Sequence, residues 1–257
     1  MFLLTGLLPA SAGLPPGWSD ADIGTPADAG SASYADGGWI LSGGGIDIGG
    51  TSDQFNFASE GCNGDGAVVA LVTSVQNADP SSGWAKVGVM FRNDSTAQAV
   101  NACMVASAKQ GVQFQYRATT GATSYGTQIA GISPPVWIKV VRSSDLFSGF
   151  YSQDGTNWVQ VGSTLTLVMA GPALAGLGVT AHNNSALNRC TLTNVSVPTT
   201  TFGIYRQLWT NLNPNLGERR RPAERCLEVS LGLLHAYDEV GCVDWETNGP
   251  RGVRDAA

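Results

Sequence analysis

The run Trp84-Ala-Lys-Val-Gly-Val-Met-Phe-Arg92 alternates strictly: Ala85, Val87, Val89 and Phe91 fall on one side, Trp84, Lys86, Gly88, Met90 and Arg92 on the other. A period of two is the signature of a β-strand with one face on a core. Val112-Gln-Phe-Gln-Tyr-Arg117 repeats the pattern, with Val112, Phe114 and Tyr116 opposite Gln113, Gln115 and Arg117. Further strands are expected near 38–42, 53–58, 66–75, 100–107, 136–142, 146–152, 158–163, 174–180 and 189–197. Turn signals separate them, among them Asp36-Gly37-Gly38, Gly64-Asp65-Gly66, Asp79-Pro80, Pro134-Pro135 and Asp154-Gly155. Many short strands at close spacing, with no long stretch of helical period, read as an all-β sandwich or barrel.

Composition divides the chain near Pro198. Residues 1–197 hold seven Lys/Arg and twelve Asp/Glu, whereas the 60 residues from 198 to 257 hold seven and eight. All seven basic residues of the second part are Arg, three of them consecutive at Arg219, Arg220 and Arg221. One amphipathic helix is expected there, after Pro222, with Leu227, Leu231 and Leu234 at helical spacing and Gly232 weakening it. The formal charge of −6 and the absence of a basic stripe argue against a nucleic-acid partner. No stretch reaches the roughly 18 apolar residues of a membrane span. The five cysteines, Cys62, Cys103, Cys190, Cys226 and Cys242, form no CxxC pair. Buried free thiols are the expectation; the spacing designates no disulfide. Ala10-Ser11-Ala12 is similar to a signal-peptidase site, so residues 1–16 read as the remnant of a signal peptide or of an upstream domain, and the chain as secreted.

From Trp18-Ser-Asp-Ala-Asp-Ile-Gly24 to Val195-Ser-Val197 the sequence resembles the concanavalin A-like (lectin/glucanase-like) jelly-roll modules of large secreted bacterial proteins, some loosely labelled enolase-regulation proteins. The resemblance is carried by Gly50-Thr-Ser-Asp-Gln-Phe-Asn-Phe57, Gly64-Asp-Gly66, the run 84–92, Trp137-Ile-Lys-Val-Val-Arg142, Ser152-Gln-Asp-Gly-Thr-Asn-Trp158 and Gly178-Val-Thr-Ala-His-Asn-Asn184. It implies a sandwich of two antiparallel sheets over 17–197, serving as an accessory module in a multidomain parent; the tail, on its own residues, reads as irregular or partly helical. Phe202-Gly-Ile-Tyr-Arg-Gln-Leu-Trp-Thr-Asn-Leu212 resembles the opening strand of a protective-antigen-type sugar-binding domain, so 198–216 reads as a linker and the start of a truncated second domain. Residues 217–257 read as a frameshifted, non-native tail. Translating the neighbouring frames tests that reading, which fails if neither frame restores alternation.

Catalytic chemistry is poorly supplied. Retaining glycosidases place two carboxyls about 5–5.5 Å apart, yet Glu60 is the only glutamate before residue 218, and it reads as a loop residue. His182 is the only histidine of the sandwich region, and no GxSxG accompanies it. It reads as a turn histidine able to orient a ligand or to bond a backbone carbonyl. Sandwich modules often carry a structural calcium ion, for which Asp20, Asp22, Asp47 and Asp53 are the available carboxylates, although no loop pattern marks them and no other cofactor is implied. The turn Ser152–Trp158 resembles a shortened sialidase Asp-box; physically it is a hairpin, with Ser152 bonding into the Asp154-Gly155 turn and Trp158 covering it.

The candidate ligand residues come from one assumption. If strands 84–92, 111–117 and 136–142 share a sheet, then Trp84, Lys86, Arg92, Gln113, Gln115, Arg117, Trp137 and Lys139 share a face, with His182 nearby. Flat aromatic rings beside amides and cationic groups suit a glycan. The same face also reads as the ordinary solvated side of a sheet. The expected function is a non-catalytic extracellular recognition module for a glycan or cell-surface polysaccharide. A ligand-free structural spacer and a divergent glycosidase are the alternatives.

Overall fold

The computed structural model describes residues 13–169, 172–198, 229–230 and 233–234. The chain divides into two units, Met1–Thr200 and Thr201–Ala257. Among the described residues of the first, fourteen strands form two seven-stranded sheets in which every pairing is antiparallel. The strands are β1 Ser19–Ile23, β2 Ser31–Ala35, β3 Gly38–Gly43, β4 Phe55–Cys62, β5 Gly66–Val75, β6 Lys86–Arg92 and β7 Asn101–Ser107. They continue as β8 Val112–Arg117, β9 Tyr125–Ile129, β10 Val136–Ser143, β11 Leu146–Ser152, β12 Val159–Thr166, β13 Ala173–Thr180 and β14 Asn188–Ser196. One sheet runs β1-β4-β13-β6-β7-β8-β9 and the other β12-β11-β10-β5-β14-β3-β2.

The alternating apolar residues meet between the sheets. Val87, Val89 and Phe91 of β6, Met104 of β7, Phe114 of β8 and Leu177 of β13 pack in one core with Leu41, Val68, Val72, Ile138, Val140, Phe147 and Leu192 of the opposite sheet. Burial of such side chains, about 1.5–3 kcal/mol each, is what holds two sheets face to face.

The outer face of the first sheet is not simply solvated. The segment 44–54, between β3 and β4, lies over it and inserts Ile48 into a second cluster with Ile23, Phe55, Phe57, Met90, Cys103 and Val105. Every residue of β6 and β7 is consequently buried. Gly178 makes the fit: a Cβ there would stand 2.9 Å from the Phe55 ring and 3.4 Å from Ile48. The reading of this face as ordinary solvated surface is therefore corrected.

At the sandwich edge, Asp20 and Asp22 of β1 reach the chain at β2 of the opposite sheet: Asp20 accepts the Ala32 amide at 2.9 Å and Asp22 the Gly30 amide at 3.1 Å. Asp22 also accepts the side-chain amide of Asn56, on the neighbouring strand β4, at 3.2 Å. Burial pushes the Asp20 carboxyl above its ordinary value, with the Asp22 charge adding to the effect and the bonds from Ala32 and Asn56 opposing it. Cys62, Cys103 and Cys190 are buried free thiols, as read from the sequence, and burial pushes Cys103 and Cys190 up to about 12. Cys226 and Cys242 lie outside the described residues.

In the second unit, Val229–Ser230 (β15) pairs antiparallel with Leu233–Leu234 (β16). The helix expected after Pro222 is thus replaced by extended chain at these four residues. Gly232 is costly within a helix and Val229 favours a strand. The rest of that expectation, and the readings of 1–12 and 199–228, lie outside the described residues. Among the described residues no helix is long and apolar enough to cross a membrane.

Candidate functional site

Cross-strand register sets out the outer face of the first sheet. Met90, Cys103 and Gln115 form one row across β6, β7 and β8, and Arg92, Asn101 and Arg117 form the next. Alternation therefore placed the outward residues of β6 and β8 correctly. What covers each row decides its role.

The Arg92–Arg117 row is closed. Asp53, from the covering segment, sits between the two guanidinium groups, with Arg92 Nη1 at 2.6 Å from Oδ2 and Arg117 Nη1 and Nη2 at 2.8 and 2.5 Å from Oδ2 and Oδ1. All three side chains have no exposed surface. Arg117 also donates to the carbonyls of Gly49 (3.2 Å), Gly50 (3.3 Å), Ala99 (3.1 Å) and Ala122 (3.0 Å). Burial lowers the Arg92 pKa, opposed by the Asp53 charge and its hydrogen bond. Expected as ligand residues, Arg92 and Arg117 are instead the internal fastening of segment 44–54. A buried carboxylate needs such cations, and the sheet supplies them from beneath.

Trp137 and Lys139 are also corrected. They lie on β10, which belongs to the other sheet between β5 and β11, so they cannot share a face with β6 and β8. Lys139 Nζ stands 3.9 Å from the Trp158 ring centre and 5.0 Å from that of Phe150, and partial burial lowers its pKa. Trp137 lies against the hairpin turn, where a Cβ on Gly155 would be 2.8 Å from the indole. Trp137 thus covers the turn, the role expected of Trp158. Ser152 does bond into it, accepting the Gly155 amide at 3.0 Å.

The remaining candidates converge. Trp84, Lys86, Gln113, Gln115 and His182 line a hollow of about 250 Å³ together with Asp47, Gly49, Gly50, Ser124, Tyr125 and Gly126. The convergence follows from topology: β6 begins where β13 ends, with Lys86 in register with Thr180, so Trp84, just before β6, and His182, just after β13, arrive at the same end of neighbouring strands. Thr180 Oγ1 donates to the carbonyls of Gly45 (3.1 Å) and Gln54 (3.2 Å), fixing the base of segment 44–54 beside them. Lys86 is 3% exposed, with Nζ 2.7 Å from Asp47 Oδ1, 3.3 Å from the Ile48 carbonyl and 3.4 Å from Gln115 Oε1. Those three acceptors match its three protons, so Lys86 forms the floor and holds Asp47 in place. Gln115 Nε2 donates to the Ile48 carbonyl and is likewise fixed.

His182 has φ +52° in the turn after β13, and its Nδ1 lies 2.8 Å from Asp79 Oδ2 and 3.3 Å from Ser82 Oγ. The partner is a side-chain carboxylate, not the backbone carbonyl expected. Asp79 also accepts bonds from the Ser81 and Ser82 hydroxyls, and these together with His182 hold its carboxyl well below the usual carboxylate range. Serine, histidine and aspartate are all present, but a nucleophile relay needs serine and carboxylate on opposite ring nitrogens. Here both meet Nδ1. In the neutral ring this fixes the proton on Nδ1 and leaves Nε2 as an acceptor.

The four candidate calcium carboxylates do not gather at one place: Asp53 is closed between arginines, Asp47 pairs with Lys86, and Asp20 and Asp22 sit together on β1, accepting from Ala32, Gly30 and Asn56. Glu60, expected in a loop, lies in β4, and partial burial raises its pKa. Among the residues lining the hollow, Asp47 is the single carboxylate.

Sequence reading named Asp47 only as a candidate calcium carboxylate and missed it as a residue of this hollow, along with Ser124, Tyr125 and the Gly49-Gly50 rim. The one available signal was the glycine-dense stretch Gly43-Gly-Gly-Ile-Asp-Ile-Gly-Gly50 leading into the resemblance motif.

No protein-family model matches the chain, and no curated protein matches it in sequence. Among solved structures it is similar to a mutant of the GH43 protein BlXynB from Bacillus licheniformis, at 12% identity and TM-score 0.50, over 71% of this chain and 37% of that one. It is also similar to the carbohydrate binding module CBM66 from Bacillus subtilis (16% identity, 70% and 93% of the two chains, TM-score 0.44). The lectin from Bauhinia forficata, in complex with GalNAc, matches at 8% identity over 72% and 94%, with TM-score 0.44. At such identities the likeness bears on the fold alone. The described residues form an all-β sandwich of two antiparallel sheets, a fold of the same kind as these solved structures.

Proposed function

We propose that this protein is a non-catalytic, extracellular recognition module that binds a carbohydrate in the hollow between Trp84 and His182. The observation that carries the reading is the convergence there of an aromatic ring with fixed, unlike polar groups. The half-buried Trp84 indole offers a flat face for sugar C–H groups. Asp47 Oδ2 is an acceptor for hydroxyl protons, its Oδ1 held on Lys86, and His182 presents Nε2, its ring held through Nδ1 on Asp79. The Gln113 amide and the Tyr125 phenol add donors. A few preplaced polar groups around an apolar surface are what orient a small polar ligand.

The glycosidase reading is the weaker one, because a second carboxylate beside Asp47 is missing from the lining. The spacer reading draws on one observation: Lys86, Arg92, Gln115 and Arg117, most of the polar residues of the face read from the sequence, are consumed in internal bonds.

A glycan array probed with the parent chain, Trp84→Ala and Lys139→Gln separates these readings. The parent is expected to bind a defined glycan set, Trp84→Ala to lose about tenfold or more, equivalent to about 1.4 kcal/mol, and Lys139→Gln to match the parent. Absence of binding by the parent, or equal binding by Trp84→Ala, overturns the proposal; the first outcome is the one a spacer gives.

A further inference from the structure

We infer that the site takes at least two linked sugar rings, the second seated in a neighbouring hollow beyond the Gly49-Gly50 rim; this rests on the carbohydrate reading above. The second hollow, about 320 Å³, is lined by Ile46, Ser52 and Gln54 and shares Asp47, Gly49, Gly50 and His182 with the first. Sharing four residues makes the two hollows adjoin. Drug-sized ligands fill clefts of about 300–1,000 Å³; the first hollow alone falls short of that range, and the two together lie within it.

The boundary between them is low and held. Gly50 has φ +58°, and a Cβ built there meets nothing within 4 Å, so open space lies directly over its backbone. Its carbonyl accepts from Ser124 N at 2.8 Å and from Arg117 Nη2 at 3.3 Å, and Gly49 is fastened to Asp53 Oδ1 through its amide at 2.9 Å. A ligand can therefore pass over a saddle that has no side chains and whose backbone is already bonded. Beyond it, Ile46 is 58% exposed, an aliphatic surface for the C–H face of a second ring. Ser52 lies beside it, and Gln54 Oε1 is buried without a protein partner.

The test is calorimetric titration of the whole chain with glucose, galactose, mannose and xylose, and with the 1,4-linked disaccharide of each. For the sugar that binds, the disaccharide is expected to bind at least tenfold more tightly than the monosaccharide. Ile46→Ala, an exposed position where folding is not at stake, is expected to bring the disaccharide close to the monosaccharide value and to leave the monosaccharide unchanged. Equal affinity for one and two rings, or an Ile46→Ala loss that is the same for both, overturns the two-ring inference while the carbohydrate reading stands. If neither ring number binds, the carbohydrate reading falls, and this inference with it.

Discussion

Asp53 shows how far a single residue can control the site without touching a ligand. It is the one carboxylate between two buried guanidinium groups, and through Arg117 it reaches the Gly49 and Gly50 carbonyls that form the rim. Removing the charge in Asp53→Asn leaves two cations facing each other in the interior. The expected loss is about 3–5 kcal/mol in urea unfolding, and a loss below about 1 kcal/mol would show that the pair is not what fastens the segment. Arg117→Lys is expected to be nearly as damaging, because an ammonium cannot span the carboxylate and the two carbonyls as the planar fork does. The sequence marked Arg92 and Arg117 as outward-facing, and they are. Alternation tells which face a side chain takes and is silent about a loop from elsewhere lying over that face. Asp53 stands in a motif quoted for its resemblance, yet its partners lie 39 and 64 residues away.

At the level of elements, strands with apolar alternation were legible and those without it were not. Ser19–Ile23, Ser31–Ala35 and Tyr125–Ile129 went unread because they are polar or exposed edge strands, held by register and not by burial. Sheet membership was equally hidden: the alternation of β10 is as clear as that of β6, but only the order of pairing puts them in different sheets. That is why Trp137 and Lys139 left the site while Trp84, Lys86, Gln113 and Gln115 stayed. Two turns carry a pH signature. In the Ser152–Asn157 hairpin, Asp154 accepts the Thr156 and Asn157 amides at 2.8 and 2.7 Å; in the turn before β6, Asp79 accepts from Ser81, Ser82 and His182. Bonds to the ionised form hold both carboxyls below their ordinary value, those from Asn157 contributing most at Asp154 and that from Ser81 most at Asp79. The sign follows: their contribution to stability is fully present above about pH 4, the unfolded-chain value, and is lost as pH falls through the lower folded value. Amide shifts of Ser82, Thr156 and Asn157 followed by NMR on acidification should show midpoints below about 3.9; midpoints at or above that value contradict the assignment.

On the scale of the whole molecule, the sandwich offers two outer faces, and the sequence treated one imagined face as the site. The actual arrangement is asymmetric. Segment 44–54 covers part of the first sheet, sealing Arg92 and Arg117 and leaving the Trp84–His182 end open, while Trp137, Lys139 and Trp158 lie on the second sheet beside their own hairpin. The proposed binding site is accordingly built on the first sheet alone. It is tested most directly by an NMR titration of the chain with the glycan that binds it best on the array. The account predicts that amide and side-chain shifts move at Gly49, Gly50, Gln113, Ser124, Tyr125 and His182, and that Lys139, Phe150 and Trp158 stay still. Shifts centred on Lys139, Phe150 and Trp158, with the Gly49–Gly50 rim unmoved, would contradict it.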